Sequence, residues 1–191
     1  MVENRLTVVR HGETAWSRDG QHTGRTDVPL TDEGRTVATK LVQALSGRTY
    51  TLVLTSPLAR ARDTAALAGF PDAEVDDDLC EWDYGDYEGR TTAEIRDAGD
   101  PGWFLWDDGV PNGESIADVA ARADRVIARV REVDGDALVF SHGHVLRILG
   151  SRWLDLDPAF GRHLVLSPAT LSVLGWERGV PALEAWNAPV T

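Results

Sequence analysis

Cysteine is almost missing from this sequence, since Cys80 is the only one among 191 residues. No disulfide can form within the chain, which favours a reducing compartment, and we expect a cytoplasmic location. Long hydrophobic runs are also lacking, because none approaches the roughly 20 residues of a membrane span. Residues 1–9 do not join a basic stretch to an apolar one, so we expect no secretion signal and no membrane partner.

Basic side chains are scarce as well. The 19 Lys and Arg residues against 31 Asp and Glu residues give a formal net charge of −12. Because nucleic-acid binding normally requires a basic surface, we expect no nucleic-acid partner. An anionic small molecule would have to be attracted by a local group of cationic side chains. The sequence indicates no oligomeric state.

The periodicity of the chain predicts its fold class. With no repeat and no shift in composition, residues 1–191 are predicted to form a single domain. Short apolar segments alternate with segments whose apolar residues recur at helical spacing. Strands are predicted at 6–10, 51–55, 74–78 and 137–141, and a terminal hairpin at 170–177 and 182–188. Helices are predicted from the N-cap Thr31 to about Leu45, from Pro57 to Ala68, and at 92–98, 114–132 and 144–153.

These elements predict an α/β three-layer sandwich. Its central sheet is expected to be mostly parallel, with one antiparallel edge strand and helices on both faces.

Two of the predicted strands end in histidine-containing turns. Strand 6–10 runs into Arg10-His11-Gly12-Glu13, and strand 137–141 runs into His142-Gly143-His144. Open α/β sheets place reactive groups at the ends of such strands. Two imidazoles and an arginine at one sheet edge are suited to holding a phosphoryl group while one histidine attacks it.

Four further motifs accompany these turns in order along the chain. They are Val28-Pro-Leu-Thr-Asp-Glu-Gly34, the segment 56–64 (SPLARARDT), the segment 79–89 (LCEWDYGDYEG) and Gly113-Glu-Ser115. Together the six motifs resemble the histidine phosphatase superfamily, the phosphoglycerate-mutase-like group, over residues 5–150. The resemblance implies that His11 is the nucleophile, that Arg10, Arg60 and His142 form the phosphate pocket, and that Glu81 is the general acid and base.

Elementary chemistry agrees with these roles. A neutral imidazole can attack phosphorus, and the usual histidine pKa of about 6.5 leaves much of it neutral near pH 7. Guanidinium groups stabilise the charge on the phosphoryl oxygens. A carboxyl group can protonate the leaving oxygen and then deprotonate the attacking water. No step requires a metal or another cofactor.

Five more residues are expected to contact substrate. Ser17 stands where the family often has an asparagine after the tryptophan, and it can donate only one hydrogen bond. Thr23 and Gly24 match a loop that reaches phosphate through backbone or hydroxyl groups. Gly143 lies at a predicted helix start, where backbone amides can bind anions, and His144 is expected to line the pocket.

Structural alternatives stay open for several residues. His142 and His144 could be read as a metal pair, but no carboxylate or cysteine cluster completes it, so we expect no metal. Glu13 either orients His11 or stabilises its own loop. The segment 103–106 (WFLW) either caps the pocket against bulky substrates or packs on the core.

The reaction is predicted to be phosphate-monoester hydrolysis. True mutases of this group usually carry an extra middle segment and a longer tail, whereas this chain is short there, so water should reach His11. The segments 82–89, 106–109 and 141–144 together resemble the small sugar-phosphate and broad-specificity acid phosphatases, which implies small phosphorylated metabolites as substrates. The alternatives are a cofactor-dependent phosphoglycerate mutase and a non-catalytic module that binds phospho-ligands.

Overall fold

The computed structural model describes residues 4–190 and contains a six-stranded sheet. The strands are β1 (Leu6–Arg10), β2 (Leu52–Thr55), β3 (Glu74–Val75), β4 (Ala137–Ser141), β5 (Leu171–Glu177) and β6 (Val180–Ala188). Their order in the sheet is β3-β2-β4-β1-β5-β6, and the first four are parallel. Strand β5 is antiparallel to both β1 and β6. The predicted α/β sheet is therefore confirmed. The antiparallel strand is second from the edge, because the hairpin returns and adds β6 outside it.

Seven α-helices connect the strands in the described part of the chain. They are α1 (Ala15–Asp19), α2 (Asp32–Leu45), α3 (Ala59–Leu67), α4 (Thr92–Asp97), α5 (Leu105–Asp108), α6 (Ile116–Glu132) and α7 (Gly143–Trp153). Thr31 caps α2 as predicted, its side chain accepting from the Gly34 amide at 2.9 Å. The short α1 was not predicted, because five residues are too few for a periodic pattern.

The prediction that Pro57 begins α3 is wrong. The helix begins at Ala59, since Leu58 is extended with φ −73° and ψ 134°. The Ala59 amide donates instead to the carboxylate of Asp27 at 2.9 Å, so a distant loop satisfies the helix start.

Helices cover both faces of the sheet. Side chains alternate along β1, and Leu6 and Val8 are fully buried on the face that also buries apolar residues of α6 and α7. Val9 points to the opposite face, where residues of α2 and α3 pack. This arrangement confirms the three-layer architecture, whereas a single domain over 1–191 stays a prediction.

The register of the sheet brings three chain segments to one level. Arg10 is paired with Ser141 at the ends of β1 and β4. The His11 amide donates to the Ser141 carbonyl at 2.9 Å, and the Ser56 amide donates to the Phe140 carbonyl at 3.0 Å. The turns after β1, β2 and β4 therefore meet at the carboxyl edge of the sheet. None of the helices within residues 4–190 has the length and apolarity needed to cross a membrane.

Candidate active site

A small cavity of about 180 Å³ lies at this edge of the sheet. Seven of the ten predicted site residues line it: Arg10, His11, Ser17, Thr23, Glu81, Gly143 and His144. The other three, Gly24, Arg60 and His142, are buried and do not line it.

His11 is held as a neutral imidazole with one nitrogen available. Its Nδ1 lies 2.7 Å from the Gly12 carbonyl oxygen, which can only accept, so Nδ1 carries the proton. Burial lowers the pKa of His11 well below 6.5, and the charges of Arg10 and Arg60 lower it further. The ring is therefore neutral near pH 7, and Nε2 keeps an unshared electron pair.

Arg10 presents an unsatisfied donor next to this ring. Its Nη1 donates to the Leu166 carbonyl, but within residues 4–190 its buried Nε finds no acceptor. Burial lowers the pKa of Arg10, and the nearby charge of Glu81 opposes that shift. A Cβ atom on Gly143 would lie 3.4 Å from the Arg10 guanidinium carbon, so the glycine lets this side chain pack against the start of α7. Arg10 lines the cavity with a guanidinium group whose hydrogen bonds to the protein are incomplete, so it is suited to an anionic ligand.

The Glu81 carboxylate is fixed by the start of α7. Oε1 accepts from the amides of Trp82 and Val145, both at 2.9 Å, and Oε2 accepts from the His144 amide at 3.0 Å. The first amides of a helix have no partner within the helix, and the helix dipole favours an anion there. Glu81 is 94% buried yet lines the cavity, so a ligand bound there would lie next to it.

Arg60 is fully buried behind His11. Its Nη1 donates to the Thr26 carbonyl at 2.9 Å, and its Nη2 donates to the carbonyls of Thr23 and Gly24 at 3.0 and 2.8 Å. Its Nε donates to Nδ1 of His142 at 3.1 Å. Most of its N–H groups are therefore already used in holding the loop after α1.

His142 is likewise enclosed by hydrogen bonds. Because its Nδ1 accepts from Arg60, its Nε2 carries the proton and donates to Ser56 Oγ at 2.7 Å. Burial and the charge of Arg60 lower the pKa of His142 well below 6.5. Its ring centroid lies 5.1 Å from that of His11. Both side chains are engaged by protein groups, and their contact with a ligand stays a prediction.

The loop residues predicted to bind substrate differ in which of their polar groups are already hydrogen-bonded to the protein. The Gly24 amide donates to both carboxylate oxygens of Glu88 at 2.9 Å, so it is already engaged, and its contact with substrate stays a prediction. The Ser17 hydroxyl lines the cavity but closes the capping box of α1, donating to the Thr14 carbonyl and accepting from its amide. Thr23 lines the cavity with its hydroxyl bound to the Gln21 carbonyl at 3.1 Å.

Aromatic side chains form the layer behind one wall of the cavity. Trp103 and Trp106 are buried, with rings 5.4 Å from His22 and His144 respectively. The Tyr84 hydroxyl lies 2.6 Å from Nδ1 of His144. Burial lowers the pKa of His22 to about 4 and that of His144 well below 6.5. Of the two interpretations of segment 103–106, packing on the core is confirmed for these two tryptophans. Their rings pack against His22 and His144.

Known proteins are similar to this chain in sequence and architecture. A sequence model of the histidine phosphatase superfamily (branch 1) matches residues 6–189. The chain belongs to this superfamily. An acid phosphatase of Mycobacterium tuberculosis is 45% identical over 184 residues, covering 94% of this chain and 90% of that protein. The sedoheptulose 1,7-bisphosphatase of Saccharomyces cerevisiae is 39% identical over 185 residues, covering 80% and 68%.

A solved structure of a Mycobacterium tuberculosis protein has the same fold. It matches with a TM-score of 0.94 at 43% identity and covers 98% of this chain and 99% of that one. The family resemblance seen in the sequence is thereby confirmed.

This histidine phosphatase also has cavity residues that were not predicted. Gln21, Tyr84 and Arg147 line the cavity. Arg147 follows Gly143 by four residues in α7, and helical spacing alone could have placed it on the same side. Glu13 has the structural role, since its carboxylate accepts from the Thr31 hydroxyl at 2.9 Å.

No metal centre is apparent in the part of the chain that the structure describes. Residues 4–190 contain no group of three or more His, Cys, Asp or Glu side chains placed to hold an ion. Independence of metals and of other cofactors stays a prediction.

Proposed function

We propose that this histidine phosphatase is a phosphomonoesterase that hydrolyses small phosphorylated metabolites, sugar phosphates or bisphosphates, through a phosphohistidine on His11. One observation carries the proposal. A neutral His11 with an unprotonated Nε2 lines a small cavity together with the incompletely hydrogen-bonded guanidinium group of Arg10 and the oriented carboxylate of Glu81. These groups can serve as nucleophile, anion donor and proton carrier.

In the first step, Nε2 of His11 attacks phosphorus and the bond from phosphorus to the alcohol oxygen breaks. Glu81 must carry a proton for this step, which the negative charge of the phosphate bound beside it favours against the amides of α7. It gives that proton to the departing oxygen, so the alcohol leaves neutral. Arg10 donates to the phosphoryl oxygens, where negative charge is concentrated in the transition state. The product is a phosphohistidine on His11 with Glu81 ionised.

In the second step, water attacks the phosphohistidine. Glu81 accepts a proton from that water, the bond from nitrogen to phosphorus breaks, and His11 recovers its electron pair at Nε2. Phosphate leaves, and the enzyme returns to its starting protonation state. The amide of Gly143, first in α7, is an additional donor for the phosphoryl group.

Arg60 and His142 are proposed to act on the same phosphoryl group from behind His11. The charge of Arg60 lowers the pKa of His11 and so favours the nucleophilic form. Direct contact with phosphate would require His142 to exchange its bond to Ser56. Thr23, Ser17 and His144 are proposed to border the rest of the substrate, because all three line the cavity.

Hydrolysis is favoured over the two alternatives. The relatives described above are named as phosphatases acting on phosphate esters, although a 2,3-bisphosphoglycerate-dependent phosphoglycerate mutase of Gloeobacter violaceus is 34% identical over 168 residues. A non-catalytic binding module would not need an available nucleophile. The lone cysteine supports the cytoplasm as the proposed location, and the negative net charge supports a small molecule over nucleic acid as partner.

The test is a phosphate-release screen of sugar phosphates, sugar bisphosphates and phosphoglycerates, with interconversion of 3- and 2-phosphoglycerate measured in parallel. Release without interconversion supports the phosphatase. Interconversion stimulated by 2,3-bisphosphoglycerate would replace it with the mutase. Rapid quenching with a ³²P-labelled substrate should trap label on the wild-type protein and none on a variant lacking His11.

A further inference from the structure

Arg147 is a cavity residue that the proposed reaction does not use. It lies in α7 four residues after Gly143, one helical turn or about 6 Å further along the axis. Residues four apart share one side of a helix, and helical side chains lean toward the helix N-terminus. The Arg147 side chain therefore reaches back toward the end of α7 where Glu81 and Arg10 lie, and it lines the same cavity.

The guanidinium of Arg147 is held in place by two backbone carbonyls and an aromatic ring. Nε donates to the Gly161 carbonyl at 2.9 Å, and Nη2 donates to the Arg162 carbonyl at 3.1 Å. The guanidinium carbon also lies 4.7 Å from the centre of the Trp106 ring. These contacts orient the group before any ligand arrives, so little side-chain freedom remains to be lost on binding.

Arg147 has no carboxylate in direct contact within residues 4–190, although the charge of Glu81 is near enough to oppose the lowering of its pKa by burial. It forms no ion pair there, and Nη1 has no hydrogen-bond acceptor. Arg152, one turn further along the same helix, instead pairs with Asp124 at 2.9 Å. In a chain of net charge −12, an oriented cation that no carboxylate contacts directly, beside a reaction cavity, indicates an anionic ligand.

We propose that Arg147 binds a second anionic group of the substrate, a phosphate or a carboxylate on the carbon chain that leaves. The enzyme then prefers bisphosphates and phosphorylated acids to monophosphates of neutral alcohols. This inference rests on the proposed function, which places the reacting phosphoryl group at His11 and Arg10. A guanidinium can bind a phosphate or a carboxylate through two parallel hydrogen bonds, so Arg147 could recognise either group in the same way.

The experiment compares matched substrate pairs that differ in the second anion. Fructose 1,6-bisphosphate is compared with fructose 6-phosphate, and 3-phosphoglycerate with glycerol 3-phosphate. In wild type, kcat/KM should be higher for the doubly anionic member of at least one pair, and the pair that discriminates identifies phosphate or carboxylate as the preferred group.

Arg147→Met should remove this preference. We expect kcat/KM for the doubly anionic substrate to fall about 10- to 100-fold, as for loss of a charge-assisted hydrogen bond, mainly through KM. The neutral-tailed substrate should change less than about threefold. Arg147→Lys, which keeps a cation, should retain part of the preference. Arg152→Met is the matched control, since it removes an equal charge from the same helix outside the cavity, and it should leave both substrates unchanged.

Different results would contradict the role of Arg147 and the proposed phosphatase activity. Equal losses on both members of a pair in Arg147→Met and Arg147→Lys would show a merely structural role and overturn the inference. A wild-type enzyme that hydrolyses both members equally would also overturn it while leaving the proposed function intact. Absence of phosphate release from every substrate would defeat the proposed function, and the inference with it.

Discussion

His11 and His142 follow adjacent parallel strands, come from similar turns, and are both buried, yet the fold gives them different chemical positions. Nδ1 of His11 donates a hydrogen bond to the carbonyl of the neighbouring Gly12, which leaves Nε2 available at the cavity. His142 has both nitrogens engaged, with Arg60 on one side and Ser56 on the other. Sequence context alone makes the two turns look equivalent, whereas the hydrogen bonds around each ring decide which histidine can act as the nucleophile.

The largest effect on turnover is expected from replacing His11, the histidine of the pair whose Nε2 is available. In His11→Asn the side-chain amide can keep the bond to the Gly12 carbonyl, but the nucleophilic Nε2 is lost. We expect kcat to fall at least about 1,000-fold, or roughly 4 kcal/mol of transition-state stabilisation. His163→Gln, at an exposed histidine, is the control and should retain activity. Turnover of His11→Asn within tenfold of wild type would reject the phosphohistidine mechanism.

The next effect concerns Glu81, whose carboxylate shares the cavity with His11. Glu81→Gln keeps one of the two acceptor oxygens that bind the amides at the start of α7, but it cannot carry the proton. With alkyl phosphates we expect a loss in kcat of about 100-fold or more. With p-nitrophenyl phosphate the loss should be smaller, because that leaving group needs little protonation. Equal losses on the two substrates would argue against Glu81 as the acid.

A smaller effect is expected at His142, and two variants separate its roles. His142→Asn keeps an acceptor for the Arg60 Nε–H, whereas His142→Leu leaves that buried donor unpaired. The leucine variant should therefore be less stable than the asparagine variant by about 1–3 kcal/mol in denaturant unfolding. We expect the asparagine variant to lose about tenfold in kcat. A loss as large as that of His11→Asn would mean that His142 contacts the phosphoryl group directly in the transition state.

The position of this site could be predicted because it depends on backbone order. Strand-ending turns in a parallel sheet must meet at one edge, so Arg10, His11 and Gly143 were placed from sequence alone. Glu81 comes from an irregular segment, and its role was taken from the family resemblance. Its contacts with α7 could not be predicted, since they depend on how a loop meets a distant helix start.

The unpredicted hydrogen bonds have the same physical origin. Contact of Arg60 and Gly24 with a ligand stays a prediction, but their hydrogen bonds join segments far apart in the chain, to carbonyls after α1 and to Glu88. No local pattern encodes such partners. Arg147 was overlooked for a different reason, since its helical spacing from Gly143 was visible in the sequence.

The smallest expected effect concerns the property that the two histidines share. Both have a folded-state pKa well below 6.5, so below pH 6.5 the unfolded chain binds protons that the folded chain does not. Stability should therefore fall as pH drops below 6.5 and be retained above it, with each such histidine contributing a slope of up to about 1.4 kcal/mol per pH unit. In His11→Asn and in His142→Asn the slope of unfolding free energy between pH 6 and 5 should be shallower by about this amount. Denaturant unfolding across that range measures it, and a slope unchanged in either variant would mean that the replaced histidine is charged in the folded protein.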